Sequence, residues 1–280
     1  MKKTLSKLLA LALTASLVLS GCGGNAEGGN NEANSQGGQA NAEGSDKKEE
    51  ASSKDEIKDL YIARNAVREL ETFNILYTQR QEDSENLTSL VDGLLESNPK
   101  GELVPCIAEE WGSEDGGLTW TFKVREGVKW VDVNGNEKAD CNAQDFATGL
   151  EWVLNFYKND SNNTAMPIEM IKGAKEYYEY TKTLSEDEAK ALTAGEGSKF
   201  REMVGLETPD DHTVVYHCVT EKPYFDSLAS YVALYPLSQG MVDELGGADA
   251  VKAMNNENMW YNGCYTMTSY IQGNEKIFTK

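Results

Sequence analysis

The sequence predicts an α/β fold, and three stretches carry that prediction. Leu118-Thr119-Trp120-Thr121-Phe122-Lys123-Val124 alternates apolar and polar residues, the pattern of a half-buried strand. Asn142, with Asp145 three positions on and Phe146, Leu150, Val153, Leu154 and Tyr157 at helical spacing, reads as a capped amphipathic helix. A third run, Thr213-Val214-Val215-Tyr216-His217-Cys218-Val219, returns the chain to strand.

In chain order, Lys2, Lys3 and Lys7 precede an apolar run over residues 8–19, which is the pattern of a signal peptide spanning residues 1–21. The run is shorter than the about 20 apolar residues that a spanning helix needs. Leu19-Ser20-Gly21-Cys22 resembles the lipobox of bacterial lipoproteins, which implies that Cys22 carries lipid. Acyl chains there hold a protein to the outer membrane face by burying methylenes at about 0.8 kcal/mol each. Residues 23–53 contain no aromatic or β-branched side chain, so residues 22–56 read as a flexible tether to a globular body. Its root-mean-square reach is roughly 30 Å.

The body opens with a strand at Leu60-Tyr61-Ile62-Ala63 and an irregular stretch over 64–83. Leu87, Leu90, Val91, Leu94 and Leu95 then suggest a helix over 86–95, and Ser97-Asn98-Pro99-Lys100-Gly101 a turn. Asp115-Gly116-Gly117 is a turn before the first alternating strand. Trp130-Val131-Asp132-Val133 meets Asn134-Gly135, a strong hairpin signal, and the chain returns to Cys141. Residues 170–193 read as mostly helical, with Ser185 capping a second piece and Gly195 ending it. Two helices, near 224–234 and 239–254, precede strands at 262–267 and 276–278.

The formal charge of -20 over 280 residues excludes nucleic acid as a partner, since such a surface repels phosphate. Besides Cys22, cysteines stand at 106, 141, 218 and 264. They show no C-x-x-C pair, and His212 and His217 are five apart in a strand, so there is no zinc signature and no metal site is expected. In an exported chain these four could form disulfides in three connectivities, or serve as small buried thiols. The paired acids Glu109-Glu110 and Asp210-Asp211 point apart in a strand, and no Gly-x-Ser-x-Gly or His-Glu-x-x-His occurs, so neither an enzyme nor a cofactor is indicated. Trp111, Trp120, Trp130, Trp152 and Trp260 read as core rather than as a carbohydrate platform.

Several segments in fixed order resemble the family 5 extracellular solute-binding proteins, the oligopeptide-, dipeptide- and nickel-binding receptors of ABC transporters. They are Val91-Asp92-Gly93-Leu94-Leu95, Gly101-Glu102-Leu103-Val104-Pro105, Ala108-Glu109-Glu110-Trp111, the run from Leu118 to Trp130, Ala143-Gln144-Asp145-Phe146, Asp210-Asp211-His212-Thr213-Val214, Lys222-Pro223-Tyr224-Phe225 and Asn262-Gly263-Cys264-Tyr265. The resemblance implies a type II periplasmic-binding-protein-like fold, in which two lobes close on a ligand. The first lobe would comprise residues 57–96 and 201–280, with a small α+β domain inserted at 97–200 and the second lobe missing from a truncated chain. Apolar surface around Val214, Tyr216 and Cys218 is then expected to be partly exposed.

The function implied is capture of oligopeptides outside the membrane and their delivery to a permease and its ATPase. Nickel, haem or another small solute, and a sensory receptor on the same fold, remain open alternatives. Peptide would pair through its main chain with Thr78, Gln79, Arg80 and Gln81, unless these form an ordinary polar loop. Asn262 and Gly263 match a hinge-proximal motif where glycine lets the backbone approach closely, with a plain turn as the alternative.

Overall fold

In the computed structural model, which describes residues 69–280, helix α1 (Gln81–Leu87) leads through a bend into the hairpin of β1 (Leu95–Ser97) and β2 (Leu103–Pro105). Strands β3 (Ala108–Gly112) and β4 (Thr119–Val124) form the next hairpin, and β5 (Lys129–Val131) and β6 (Glu137–Asp140) the third. Helices α2 (Ala143–Leu154), α3 (Ala165–Met170), α4 (Ala174–Lys182), α5 (Glu186–Lys190) and α6 (Lys199–Met203) follow, then the pair β7 (Leu206–Asp210) and β8 (Thr213–His217). After α7 (Phe225–Leu228), α8 (Gln239–Leu245) and α9 (Ala248–Lys252), the chain closes with the hairpin β9 (Thr266–Ile271) and β10 (Glu275–Thr279). The described residues lie within one compact unit, Ile62–Lys280. The expected signal peptide, lipidated Cys22, tether and strand at 60–63 lie outside them.

The principal sheet is antiparallel, in the order β3-β4-β8-β7. Alternation along β4 turns Trp120, Phe122 and Val124 inward, and in register Trp120 faces Tyr216 while Phe122 faces Val214. The Phe122 and Tyr216 rings meet edge to face at 5.9 Å. Helix α2 packs on β7 and β8.

Its start is fixed as the sequence suggests. Asn142 Oδ1 accepts from Gln144 N at 2.9 Å, Asp145 Oδ2 accepts from Asn142 N at 3.0 Å, and the arrangement is a full capping box. Asp145 Oδ2 also takes the indole N–H of the buried Trp130 at 2.9 Å, which locks the β5–β6 hairpin to the helix. Ser185 and Glu188 make the same box on α5.

At the far end of α2 the buried Lys158 donates to Glu151 at 2.6 Å and to Leu192 O at 2.5 Å, while Tyr177 and Asn155 donate to Glu151 at 2.8 and 3.0 Å. Each charge there is paired and hydrogen-bonded, the condition under which a buried ion pair is tolerable.

Several expectations are displaced. The helix placed at 86–95 is α1, five residues earlier. Leu90, Leu94 and Leu95 are buried as foreseen, but in the bend and strand that follow it. Residues 262–265 are irregular and the strand begins at Thr266. The helix expected over 239–254 is broken at Gly246 and Gly247, whose φ values of 97° and 108° no helix contains. That expected over 224–234 shrinks to α7 and one 3₁₀ turn.

Val214, Tyr216 and Cys218 are buried instead of partly exposed, because β8 sits between β4 and β7 with α2 across it. The apolar side chains that do reach solvent include Ile271 and Ile277 on the last hairpin. The sheet joins β3 and β4 to β7 and β8, so it draws strands from both sides of the limit expected at residue 200.

Candidate functional site

The segment from Thr72 to Asp83 is built from short polar side chains that bond their own backbone. Thr72 Oγ1 accepts from Asn74 N and Asn74 Oδ1 from Leu76 N, both at 3.0 Å, while Asn74 O accepts from Tyr77 N and Thr78 N at 3.1 and 3.2 Å. The side chain of Asn163 donates to Leu76 O and ties this turn to the loop after α2. The chain then straightens, with Arg80 at φ -95° and ψ 134°, before α1 begins.

In that extended stretch the two edges of the main chain differ. On the inner edge, Thr78 N bonds Asn74 O, Arg80 N donates to Thr78 Oγ1 at 3.1 Å, and Arg80 O accepts from Ser84 N at 3.1 Å. On the outer edge, the N–H and C=O of Gln79 and the N–H of Gln81 meet no protein partner among the described residues, and both side chains are exposed. With Arg80 extended, the C=O of Gln79 and the N–H of Gln81, the first residue of α1, point to the same side, so together they offer one acceptor and one donor as the edge of an unpaired strand does.

The side chains of residues 78–81 have distinct surroundings. Thr78 is buried and donates through its hydroxyl to Asp83 at 2.8 Å. Asp83 is fully buried and takes Glu71 N–H on its other oxygen at 3.1 Å. Arg80 lies 3.3 Å from Glu71 and 3.8 Å from Glu82, and Gln81 donates to Glu85 at 2.9 Å. Sequence spacing does not single out Asp83. The usable signal is an acid at the third helical position behind an N-cap, Arg80, that has no capping oxygen.

Asn262 and Gly263 are spent on internal contacts. Asn262 Oδ1 accepts from Asp92 N at 3.0 Å, and its Nδ2 donates to Cys141 Sγ at 3.4 Å. Gly263 N donates to Leu90 O at 3.0 Å, and a Cβ there would lie 2.7 Å from the Leu90 carbonyl carbon. The close backbone approach expected at Gly263 is therefore present, against the bend after α1. The hydrogen bonds of these two residues go to Leu90, Asp92 and Cys141 and not to residues 78–81.

Burial pushes the Asp92 carboxyl up to about 6, partly offset by a hydrogen bond from Cys106, whose thiol is itself pushed up to about 12 by burial beside Asp92. Burial likewise pushes Asp145 up to about 6 against the opposing bond from Trp130.

The other candidates resolve simply. Trp120, Trp130, Trp152 and Trp260 are buried and Trp111 is half-buried, so the core reading holds for them. Glu109, Glu110, Asp210 and Asp211 are exposed. His217 pairs with Glu207 at 2.9 Å, and among the described residues no group of His, Cys, Asp and Glu could hold a metal ion. Cys141 and Cys218 are buried thiols, whereas Cys264 is exposed because residues 262–265 form a loop instead of a core strand. No helix among the described residues is long and apolar enough to cross a membrane.

The family model described as bacterial extracellular solute-binding proteins, family 5 middle, matches residues 102–280. The oligopeptide-binding protein SarA of Streptococcus gordonii is 30% identical over 210 residues, which are 75% of this chain and 29% of SarA. The periplasmic oligopeptide-binding protein OppA of Haemophilus influenzae is 30% identical over 217 residues, 78% of this chain and 35% of OppA. A solved structure of Haemophilus influenzae OppA in complex with RPPGFSPFR superimposes with a TM-score of 0.56 at 27% identity, covering 71% of this chain and 34% of that one. The oligopeptide-binding protein OppAIV of Borrelia burgdorferi shares the fold with a TM-score of 0.60 at 20% identity, over 75% and 37% of the two chains. The chain thus spans about a third of the length of these relatives.

Proposed function

We propose, from the premise that this chain belongs to the family 5 bacterial extracellular solute-binding proteins, that it captures oligopeptides for an ABC importer. The members of this family are binding proteins and not enzymes. In this reading the acylated Cys22 anchors the protein to the outer face of the membrane, the tether lifts the body clear, and captured peptide passes to the permease and its ATPase. The small domain extends past residue 200 to include β7 and β8, and the second lobe supplies the opposite wall of the cleft.

The observation that carries the reading is the outer edge of residues 78–81. An extended peptide laid along it would donate to Gln79 O and accept from the N–H groups of Gln79 and Gln81, adding one strand to a ready template. Main-chain pairing of this kind reads the ligand's backbone and tolerates many side chains, which suits a receptor for mixed peptides. Asn262 and Gly263 serve the cleft at a distance, by fixing the bend that follows α1.

The test is calorimetry with a tripeptide-to-pentapeptide pool on the full-length protein that carries this sequence. Gln79→Pro removes one N–H and is expected to weaken binding at least tenfold, while Gln79→Ala stays within twofold. Equal affinity for the proline variant and the parent would remove residues 78–81 from the site. Absence of peptide binding by the parent would sink the peptide reading itself. Cys22→Ser is expected to shift the protein from the membrane fraction to the medium with its affinity unchanged.

A further inference from the structure

The residues that offer the open edge are not the residues that hold it open. Arg80, the N-cap of α1, contributes no capping oxygen, and its guanidinium lies among exposed glutamates. The work of fixing the segment falls to Thr78 and Asp83. The Thr78 hydroxyl has one proton to give and lone pairs to receive. It gives the proton to Asp83 Oδ2 at 2.8 Å and receives Arg80 N–H at 3.1 Å. Asp83 is fully buried, and its second oxygen holds Glu71 N–H at 3.1 Å.

The carboxylate thereby holds the Glu71 N–H directly and the Arg80 N–H through the Thr78 hydroxyl. The Arg80 N–H is turned inward by that arrangement, which leaves the Gln79 and Gln81 groups turned outward. A carboxylate taking bonds from a hydroxyl and an amide makes the stronger, charge-assisted kind of hydrogen bond. A segment already held in its binding conformation spares the ligand the entropy of ordering it.

We propose that Asp83, acting through the Thr78 hydroxyl, is a positioning residue for ligand capture, holding the main chain extended at Arg80 with the Gln79 C=O and the Gln81 N–H free for an incoming peptide backbone. This deepens the function proposed above and rests on it. The ligand class it selects is any chain with an extended amide backbone, since neither Asp83 nor Thr78 presents a side chain to solvent.

The experiment separates the clamp from the ligand. Amide hydrogen exchange at Arg80 is measured in the peptide-free full-length protein, and affinity for the peptide pool is measured in parallel, for the parent and for Thr78→Val, Thr78→Ser, Asp83→Asn and the Thr78→Val/Asp83→Asn double variant. Thr78→Val keeps the shape and loses both hydrogen bonds. It is expected to speed Arg80 exchange at least tenfold and to weaken peptide binding about tenfold. Thr78→Ser restores the hydroxyl and is expected to stay within twofold of the parent in both. Asp83→Asn should match Thr78→Val, and the double variant should be no worse than either single one, because both changes remove the same connection.

A purely structural role would lower the melting temperature of Thr78→Val without changing the affinity of the folded fraction, and that outcome overturns the proposal. Unchanged Arg80 exchange in Thr78→Val overturns it whatever the peptides do, as does an additive double variant. Should Thr78→Val fold poorly, the comparison of Asp83→Asn with Thr78→Ser decides by the same criteria. A parent protein that binds no peptide while the exchange results hold would locate the failure in the peptide reading, and would remove the capture role with it.

Discussion

Helices α1 and α2 both carry an aspartate at the third helical position, and the two aspartates are put to different use. Asp145 folds back one step to the N–H of its own N-cap, Asn142, and takes the Trp130 indole with the same oxygen. Asp83 passes over its N-cap, Arg80, and reaches Thr78 and Glu71 beyond it. The first arrangement finishes the chain before the helix, with every nearby donor satisfied. The second fastens the preceding segment at a point farther back and leaves the N–H and C=O of Gln79 and the N–H of Gln81 without a protein partner among the described residues. One residue type at one helical position thus either closes a structure or opens one, and the identity of the N-cap decides which. Asparagine supplies an oxygen and completes a local box, whereas arginine supplies none.

The comparison breaks most visibly at Trp130. Trp130→Ala empties a fully buried site and releases Asp145, and it should cost about 4 kcal/mol of stability in denaturant unfolding. The fraction that remains folded should still capture peptide, since the start of α1 does not depend on that contact. A loss of affinity in the folded fraction would mean that the two helix starts are coupled.

A smaller effect sharpens the same contrast through pH. Burial raises the folded-state pKa of Asp145 from the usual 3.8 to about 6, so the folded protein binds this proton more tightly than the unfolded chain does. Its contribution to stability is full below pH 3.8, is lost as pH rises through 6, and is flat above. At about 1.4 kcal/mol per pH unit the swing is on the order of 2–3 kcal/mol. Asp145→Asn is expected to remove that slope from unfolding curves measured at pH 4, 5, 6 and 7. A slope identical to the parent's would show that Asp145 titrates normally.

The smallest expected effect lies at the other helix. Arg80→Ala removes two solvent-facing ion pairs, and it should change stability by under about 0.5 kcal/mol and peptide affinity by less than twofold. A larger loss would assign the clamp to the guanidinium instead of to Asp83.

Legibility in the sequence followed the distance over which each feature is decided. The α2 cap was readable because Asn142, Asp145 and the Phe146–Leu150–Val153–Leu154 stripe are neighbours in sequence. The alternation of β4 and β8 was readable for the same reason. The run Leu87, Leu90, Val91, Leu94, Leu95 misled because its burial has two causes. Leu87 packs from a helix, while Leu90 and Val91 are covered where Asn262 and Gly263 grip the bend about 170 residues away. No window of sequence contains that contact. The position of Thr78 to Gln81 rests on spacing between the first strand and the first helix, but the difference between its two edges depends on Asn74, Ser84 and Thr78 Oγ1 at once, which neither spacing nor periodicity registers.

The pairing of β4 with β8 sets a timetable for the chain. Thr119 and His217 stand opposite each other across 98 intervening steps of sequence, and closing a loop of that length costs about 4 kcal/mol before a single rung rewards it. Strand β4 has β3 on one edge, but Trp120 and Phe122 lack their partners on the other until Val214 and Tyr216 have emerged, so a growing polypeptide shorter than that carries β4 with one edge unpaired. Pairing between strands so far apart in sequence forms more slowly than the local hairpins on either side of it. A sheet that cannot close before residue 217 has been made leaves the stretch ahead of it in a form that a narrow conduit can still pass, end first.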